Sequence, residues 1–490
     1  MKKIKICYLV TNDLSHDPRV TKQIKSAVEA GLEVLVIAWD PYLKEPKFTS
    51  KQGYKVIYGC LRNEELFAFW PRLEFAAVLY NLRQFIKYPG LRFIDKFPKI
   101  YRIYSRIYLT YYRIVHGFIG WLILIKKNLN IMFGKNSHQQ EAHPGKKEFL
   151  SGSQIDEQKQ IRNKPLMQKF RERYSIFTFY YAYYRSVNRF MAEEGARFSP
   201  DIIHANDLDT LTAGYEIKKR TGAKLIYDAH EIWTEQGMNI PKLFLWRFKR
   251  FEKKLLKKID CFITVNQSII KEISRMYQHR FKVPTLVVYN SPNYQKVNYK
   301  PSQGKKVRFL YQGRYSIDRG FEELIEAAKM LLPQGVIEFR AVGDEAFRKF
   351  LQIKVSENKL QDKVKFLKPV NMDDMVTAAS ASDVGIISYI GSNINNYLCT
   401  PNKLFEYPMA GLGLAVSDLP ELRRVIKLYK NGVIFNPKDP KSIANALNSL
   451  IKRKSQLNQF KKRSLEAAKE MNWEIEQLKL IKIYKKLTND

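Results

Sequence analysis

Short apolar runs recur in both halves of the chain, and each closes on glycine or on polar residues. Residues 3–10 form the first such run. A polar loop, 11–20, separates it from a helical pattern from Lys22 to Glu29, which Gly31 stops before a second run at 32–39. Runs at 201–208 and 224–231 repeat the design, as do 307–312, 336–342, 364–367 and 384–388 further on. Each is the right length for a buried strand, and helical periods fill the intervals. This alternation predicts α/β architecture with parallel, doubly wound sheets, whose ligands gather at the carboxyl ends of the strands. Turn formers at 289–293 mark a crossover between two such units, and 442–490 has a helical pattern.

Chemistry collects at the predicted strand ends. Gly313 and Gly320 flank Arg314 and Arg319, so a tight loop can turn two guanidinium groups toward one phosphate. Gly343 ends the next strand, where a missing side chain lets a ligand approach the backbone. In segment 397–411 the spacing predicts a helix with Thr400 as N-cap and Pro401 at the first position. Leu404, Phe405 and Met409 form its apolar face, and Gly411 its stop. Lys403 in the first turn adds a cation to the free N–H groups there, and Glu406, one turn on, can accept from a diol such as a ribose. An ordinary capped helix is the competing reading of that segment alone. In the first half, His204, Asn206, Asp207, His230 and Glu231 fall at strand ends and so at a cleft edge. No Gly-x-Gly-x-x-Gly follows the first strand, which argues against a nicotinamide or flavin cofactor.

Residues 307–436 resemble the donor domain of retaining glycosyltransferases of family 4. The resemblance rests on Gly313, Arg314, Arg319 and Gly320, on Gly343 and Asp344, on the run Pro401 to Glu406, and on Ser417, Asp418 and Glu421. It implies the GT-B fold, two Rossmann-like domains facing across a cleft, with a nucleoside diphosphate sugar as donor and no further cofactor. It implies diphosphate neutralisation by Arg314 and Arg319, although the family more often has Lys at the second position. Asn402 belongs to the same donor segment. The family's glutamate pair is half present: Glu406 matches the second, whereas Leu398 occupies the place of the first. The resemblance also makes His230 a contact to donor sugar or acceptor rather than a general base, and it makes Arg19, in a loop that closes over the ligands, a candidate contact. A surface arginine at a helix start is the alternative for Arg19, and His204 is expected to be structural.

The chain has 490 residues with 84 Lys and Arg against 48 Asp and Glu, a formal net charge of +36. That charge implies an anionic partner. Much of it lies in an aromatic, basic insertion at about 61–197. There Lys99, Arg102, Arg106 and Arg113 oppose a face of Phe97, Tyr101, Tyr104, Tyr108 and Tyr111 at helical spacing. The apolar run 115–125 is too short to span a bilayer, which needs about 20 residues. An amphipathic helix in the headgroup region, a helix packed on the domain and a nucleic-acid surface compete, and no nucleic-acid module accompanies the charge. A flexible loop is expected at about 135–164. The expected scheme is an N-terminal domain at 1–294, a nucleotide-sugar domain at 295–470 and a returning helix at 471–490. The four cysteines have no paired spacing, no Cys/His cluster has metal spacing, and the first strand leaves no room for an export signal. The expectation is therefore a cytoplasmic, metal-independent hexosyltransferase, peripheral on the inner membrane face. It would serve cell-surface polysaccharide biosynthesis, with a glycan or polyprenyl-linked acceptor and no nucleic acid. A nucleotide-sugar 2-epimerase and a non-catalytic membrane-bound scaffold are the alternatives.

Overall fold

The computed structural model describes residues 3–15, 17–40, 43, 46–51, 53–60, 184–236 and 242–489. Two sheets carry the described chain. The first has the order β3-β4-β2-β1-β5-β6-β7-β8, built from β1 (Lys5–Leu9), β2 (Glu33–Trp39), β3 (Lys47–Lys51), β4 (Tyr54–Gly59), β5 (Ile202–Asn206), β6 (Lys224–Ala229), β7 (Cys261–Thr264) and β8 (Thr285–Val287). All its pairs are parallel except β3 with β4, and the edge strand β3 lies outside the sequence expectation because its residues are mostly exposed and lack an apolar run. The second sheet has the order β11-β10-β9-β12-β13-β14 and is parallel throughout. It comprises β9 (Val307–Tyr315), β10 (Gly335–Gly343), β11 (Val364–Phe366), β12 (Val384–Ile387), β13 (Gly413–Ser417) and β14 (Gly432–Phe435). In both sheets the strand order reverses beside the first strand, β1 or β9, and that switch point opens a crevice at the carboxyl ends.

The period of two in the strands assigns each sheet its faces. Phe309 and Tyr311 enter one apolar cluster, while Leu310 between them enters another with Leu404, Phe405 and Tyr407. Ile6, Tyr8 and Val10 share a cluster with Val20 and Ile24 of the helix Pro18–Glu29 and with Trp473, Leu480, Tyr484 and Leu487 of the last helix, Trp473–Asn489. The end of the chain therefore completes the core of the first sheet. The Tyr484 hydroxyl lies 2.8 Å from both the Tyr8 hydroxyl and His204 Nδ1, and Trp473 Nε1 donates to Ser26 Oγ at 2.9 Å. Between β8 and β9, residues 288–306 contain neither helix nor strand.

A helix covering 184–198 returns the chain from the insertion to the core: Val187 and Met191 are buried, and Tyr184 packs against Trp233, Phe244 and Phe248. The expected basic helix, the apolar run at 115–125 and the loop at 135–164 lie outside the described residues. Among the described residues no helix is long and apolar enough to cross a membrane.

Replacing Tyr484 by Phe removes one buried hydroxyl and strands His204 Nδ1, while Tyr8 keeps its bond to Gln23 O. The expected destabilisation is about 1–3 kcal/mol, seen as a lower thermal unfolding midpoint. An unchanged midpoint would show that the last helix is held by its apolar contacts alone.

Candidate functional site: two strand-end clusters across the crevice

On the first sheet, β5 and β6 run in register with Asn206 beside Asp228. Asp228 is fully buried, one residue short of the end of β6. Arg19 reaches it from the first turn of the helix Pro18–Glu29. One guanidinium nitrogen contacts both carboxylate oxygens at 2.8 and 3.1 Å, Nε adds a bond at 3.3 Å, and Nη1 donates to Val288 O at 2.7 Å. Arg19 is 3% exposed. The structure thus corrects both sequence readings of Arg19, as ligand contact and as surface residue, because its donors are spent inside the protein.

Gln23 Nε2 donates to the same Asp228 oxygen at 2.7 Å, and His204 Nε2 lies 3.2 Å from it. Burial pushes the Asp228 carboxyl up, but the charges of Arg19 and His230 and the bond from His204 outweigh burial and hold it well below the carboxylate range. Burial lowers the His204 pKa. A neutral His204 beside an ionised Asp228 carries its proton on Nε2 and accepts from Tyr484 on Nδ1. His204 is structural, as its position suggested.

His230 follows β6 and sits between two carboxylates, with Nδ1 3.4 Å from Asp207 and Nε2 3.7 Å from Asp228. Burial pulls its pKa down, but Asp207 and Asp228 override burial and raise it to about 9. At neutral pH His230 is an imidazolium, able to donate hydrogen bonds and unable to take a proton. Asp207, held at φ +60°, accepts from the His230 backbone N–H at 3.0 Å. Burial, added to the charge of Asp207, raises Glu231 to about 7, with His230 and Arg319 of the second sheet opposing. The side chain of Asn395, bonded to Ile232 N at 2.9 Å and Ile232 O at 3.0 Å, joins the turn after β6 to the second sheet's side.

On the second sheet the expected loop after residue 312 is instead strand: β9 runs on to Tyr315, carrying Gly313 and Arg314 with it. Pairing with β10 explains this, because Arg314 lies opposite Val342 and Tyr315 opposite Gly343. Arg314 is exposed, its Nε near Gly343. Arg319 lies elsewhere, at the end of a single 3-10 turn, Ile317–Arg319. Its guanidinium stacks 3.7 Å from the Tyr389 ring centroid, and Nη1 donates to Asn396 Oδ1 at 3.1 Å. Gly320 is required next to it: φ is +69°, and a Cβ would stand 2.4 Å from Ser388 O. The two arginines expected on one anion therefore share no side-chain partner among the described residues.

Lys403 takes the place beside Arg319. It is 7% exposed, with Nζ 3.9 Å from the Tyr311 ring centroid and 5.4 Å from that of Tyr389. A Cβ on residue 313 would stand 3.0 Å from Nζ, so Gly313 leaves room for the lysine head. Burial, then the charge of Arg319, lowers Lys403 to about 7. Neither Arg319 nor Lys403 forms an ion pair with a described residue. Two cations thus lie against the Tyr389 and Tyr311 rings, with the charges of Asp318 and Glu406 acting on them but no ion pair formed among the described residues.

The helix start is also corrected. The helix spans Lys403–Met409, with Asn402 as N-cap making no side-chain bond, so neither Thr400 nor Pro401 begins it. Thr400 Oγ1 instead accepts from Asn266 of the first sheet's side at 2.9 Å, and Asn402 Oδ1 accepts from Asn290 at 3.2 Å. Burial raises the Glu406 pKa against the charges of Lys403 and Lys22. Lys22, donating to Ser291 O, and the Tyr389, Asn395 and Asn396 group were missed in the sequence, since isolated polar residues in irregular backbone carry no period. Among the described residues no group of three His, Cys, Asp or Glu side chains could hold a metal ion.

Residues 295–467 match the family of glycosyl transferases group 1, and residues 148–292 match Glycosyltransferase Family 4. An uncharacterized glycosyltransferase of Methanocaldococcus jannaschii is 27% identical over 198 residues, covering 37% of this chain and 48% of that relative, so the match spans about half of the curated protein. Sucrose-phosphate synthase from Thermosynechococcus elongatus is similar in structure with a TM-score of 0.58 at 15% identity, covering 99% of both chains. A glycosyltransferase from Rickettsia africae gives 0.56 at 12% identity, again over 99% of both. The HepE protein of Anabaena, solved in complex with UDP, gives 0.51 at 17% identity over 61% of this chain and 82% of that one. At these identities the likeness establishes the fold. The chain thus has the α/β fold of GT-B glycosyltransferase structures, with two parallel-sheet Rossmann-like domains, residues 295–467 resembling the group 1 family and residues 148–292 resembling family 4.

Proposed function

We propose that the protein is a glycosyltransferase that moves a sugar from a nucleoside diphosphate donor to a glycan or polyprenyl-linked acceptor with retention of configuration, in cell-surface polysaccharide biosynthesis. The observation that carries the reading is the pair of cations, Arg319 and Lys403, set near the Tyr389 ring in no ion pair with any described residue. A diphosphate pairs with both. As the sugar leaves, negative charge grows on that diphosphate, and cations fixed beforehand stabilise it without reorganising. Arg314 beside Gly343 supplies a further cation at the rim, and Glu406 accepts from the ribose. His230, kept protonated, donates to the donor sugar or acceptor. Asp207 and Glu231 face the acceptor, whose hydroxyl proton passes to a leaving phosphate oxygen.

Attachment to an anionic membrane face is part of the proposal. Support within the described residues comes from the helix Lys242–Leu255. Trp246 is 54% exposed there, Arg250 lies 4.8 Å over its ring, and Lys253, Lys254, Lys257 and Lys258 continue the exposed surface. Aromatic rings beside cations suit the headgroup layer.

Arg319→Ala is expected to lower kcat/KM at least 100-fold, about 3 kcal/mol, and Arg314→Ala to lose most transfer, with folding retained in both. Excess EDTA should leave activity within about twofold. Near-normal turnover in the Arg319 variant, or rescue of EDTA-treated enzyme by a divalent cation, contradicts the reading. Isomerisation of the donor without an acceptor would assign the site to an epimerase.

A second test uses the proton on Lys403. Its pKa of about 7 leaves it mostly neutral at pH 8 in the empty site, and a bound diphosphate restores its charge. Calorimetric titration at pH 8 in buffers of different ionisation enthalpy, across UDP, GDP, dTDP and ADP, should show proton uptake with whichever nucleotide binds; UDP comes first because it is the ligand of HepE. Uptake should vanish in Lys403→Met. Binding without uptake places the diphosphate away from Lys403.

For the membrane, sedimentation with vesicles containing anionic lipid should weaken in high salt. Replacing Lys253, Lys254, Lys257 and Lys258 by Gln should weaken it at least tenfold, given about 1 kcal/mol per basic residue near such a surface. Equal binding to neutral vesicles, or none to either, overturns this part.

A further inference from the structure

Arg319 is held by a segment that is itself stitched to the other domain. The short helix Ile394–Tyr397 begins at Asn393, whose side chain accepts from Asn396 N at 2.8 Å. Asn396 is 8% exposed. Its Oδ1 accepts from Arg319 Nη1 at 3.1 Å, and its Nδ2 donates to Asp318 and to Ser392 Oγ. Asn395, the preceding residue, faces the first sheet's side. Its Oδ1 accepts from Ile232 N at 2.9 Å and its Nδ2 donates to Ile232 O at 3.0 Å, so one side chain satisfies both backbone groups of a single residue. Ile232 directly follows His230 and Glu231. Three and five residues on from Asn395, Leu398 O and Thr400 Oγ1 accept from Asn266 Nδ2 at 2.7 and 2.9 Å. The strap from 393 to 400 is therefore tied across the crevice at both ends, with the Arg319 seat between them.

We propose that Asn395 and Asn396 are a pair of positioning residues that couple apposition of the two domains to the orientation of Arg319. Asn396 fixes the guanidinium on Tyr389. Asn395 ties that seat to the turn carrying His230 and Glu231, so the phosphate cation and the groups facing the sugar are set together. The two act through one turn of backbone pinned by Asn393. Leu398, which stands where the family has its first glutamate, takes part through its carbonyl, and its side chain is buried. The inference rests on the nucleotide-sugar reading.

The test uses the nucleoside diphosphate that the wild type binds, the matching nucleoside, and the matching nucleotide sugar. Asn396→Ala should weaken the diphosphate about tenfold and leave the nucleoside within twofold, because only phosphate meets Arg319. Asn395→Ala should leave diphosphate binding within about twofold yet lower kcat at least tenfold, because the seat survives but is no longer registered with His230. In the double variant the loss in kcat/KM should not exceed that of the larger single loss by more than about twofold, since contacts acting through one element are not additive. Equal weakening of nucleoside and diphosphate, unchanged kcat in Asn395→Ala, or fully multiplicative losses each overturn the coupling. If the wild type binds none of the nucleotides, the functional reading itself fails, which is a separate result.

Discussion

The buried pair of Arg19 and Asp228 organises the first domain. Removing one partner of such a pair leaves an uncompensated buried charge, at a cost of about 3–5 kcal/mol. Here the charge has further work to do. Asp228 stays ionised against burial because Arg19 faces it. Being ionised, it fixes the proton of His204, which lets Tyr484 donate to that ring and anchors the last helix. The same carboxylate, with Asp207, keeps His230 charged at the rim. One interior ion pair thus links the first helix, two central strands and the end of the chain to the electrostatics of the site.

The second domain presents the opposite condition. Lys403 is buried beside another cation and aromatic rings, and the charge of Glu406 offsets burial only in part, with no ion pair formed among the described residues. Desolvating a cation without a partner disfavours its charged form. Such an arrangement raises the energy of the empty site and is relieved when an anion enters. The stability of the folded chain and the affinity of its site are therefore opposed at Lys403, whereas at Asp228 they reinforce one another.

Much of the fold was legible because buried parallel strands are written as apolar runs: β1, β2, β5, β6, β9, β10, β12 and their intervening helices announce themselves. The exposed edge strand β3 has no such run and was invisible. Within the site, Arg319 and Lys403 could be singled out by their neighbouring glycines and by the donor-segment resemblance. Their actual partners could not, because Tyr389, Asn395 and Asn396 lie in loop and single-turn backbone. Arg19 was misread since a polar loop before a helix gives no sign that the first turn dips into the core. What buries it is Asp228, distant in sequence. Thr400 looked like an N-cap because Pro401 follows it, but bonding to Asn266 holds Thr400 across the crevice and delays the helix to Lys403.

The central claim is that one diphosphate lies between Arg319 and Lys403. A crystal structure with the bound nucleoside diphosphate tests it most directly. The account predicts phosphate oxygens about 2.7–3.2 Å from both the Arg319 guanidinium and Lys403 Nζ, with the Arg319 bond to Asn396 retained. A diphosphate seated on Arg314 alone, or outside the crevice with Lys403 still turned to Tyr311, would contradict it.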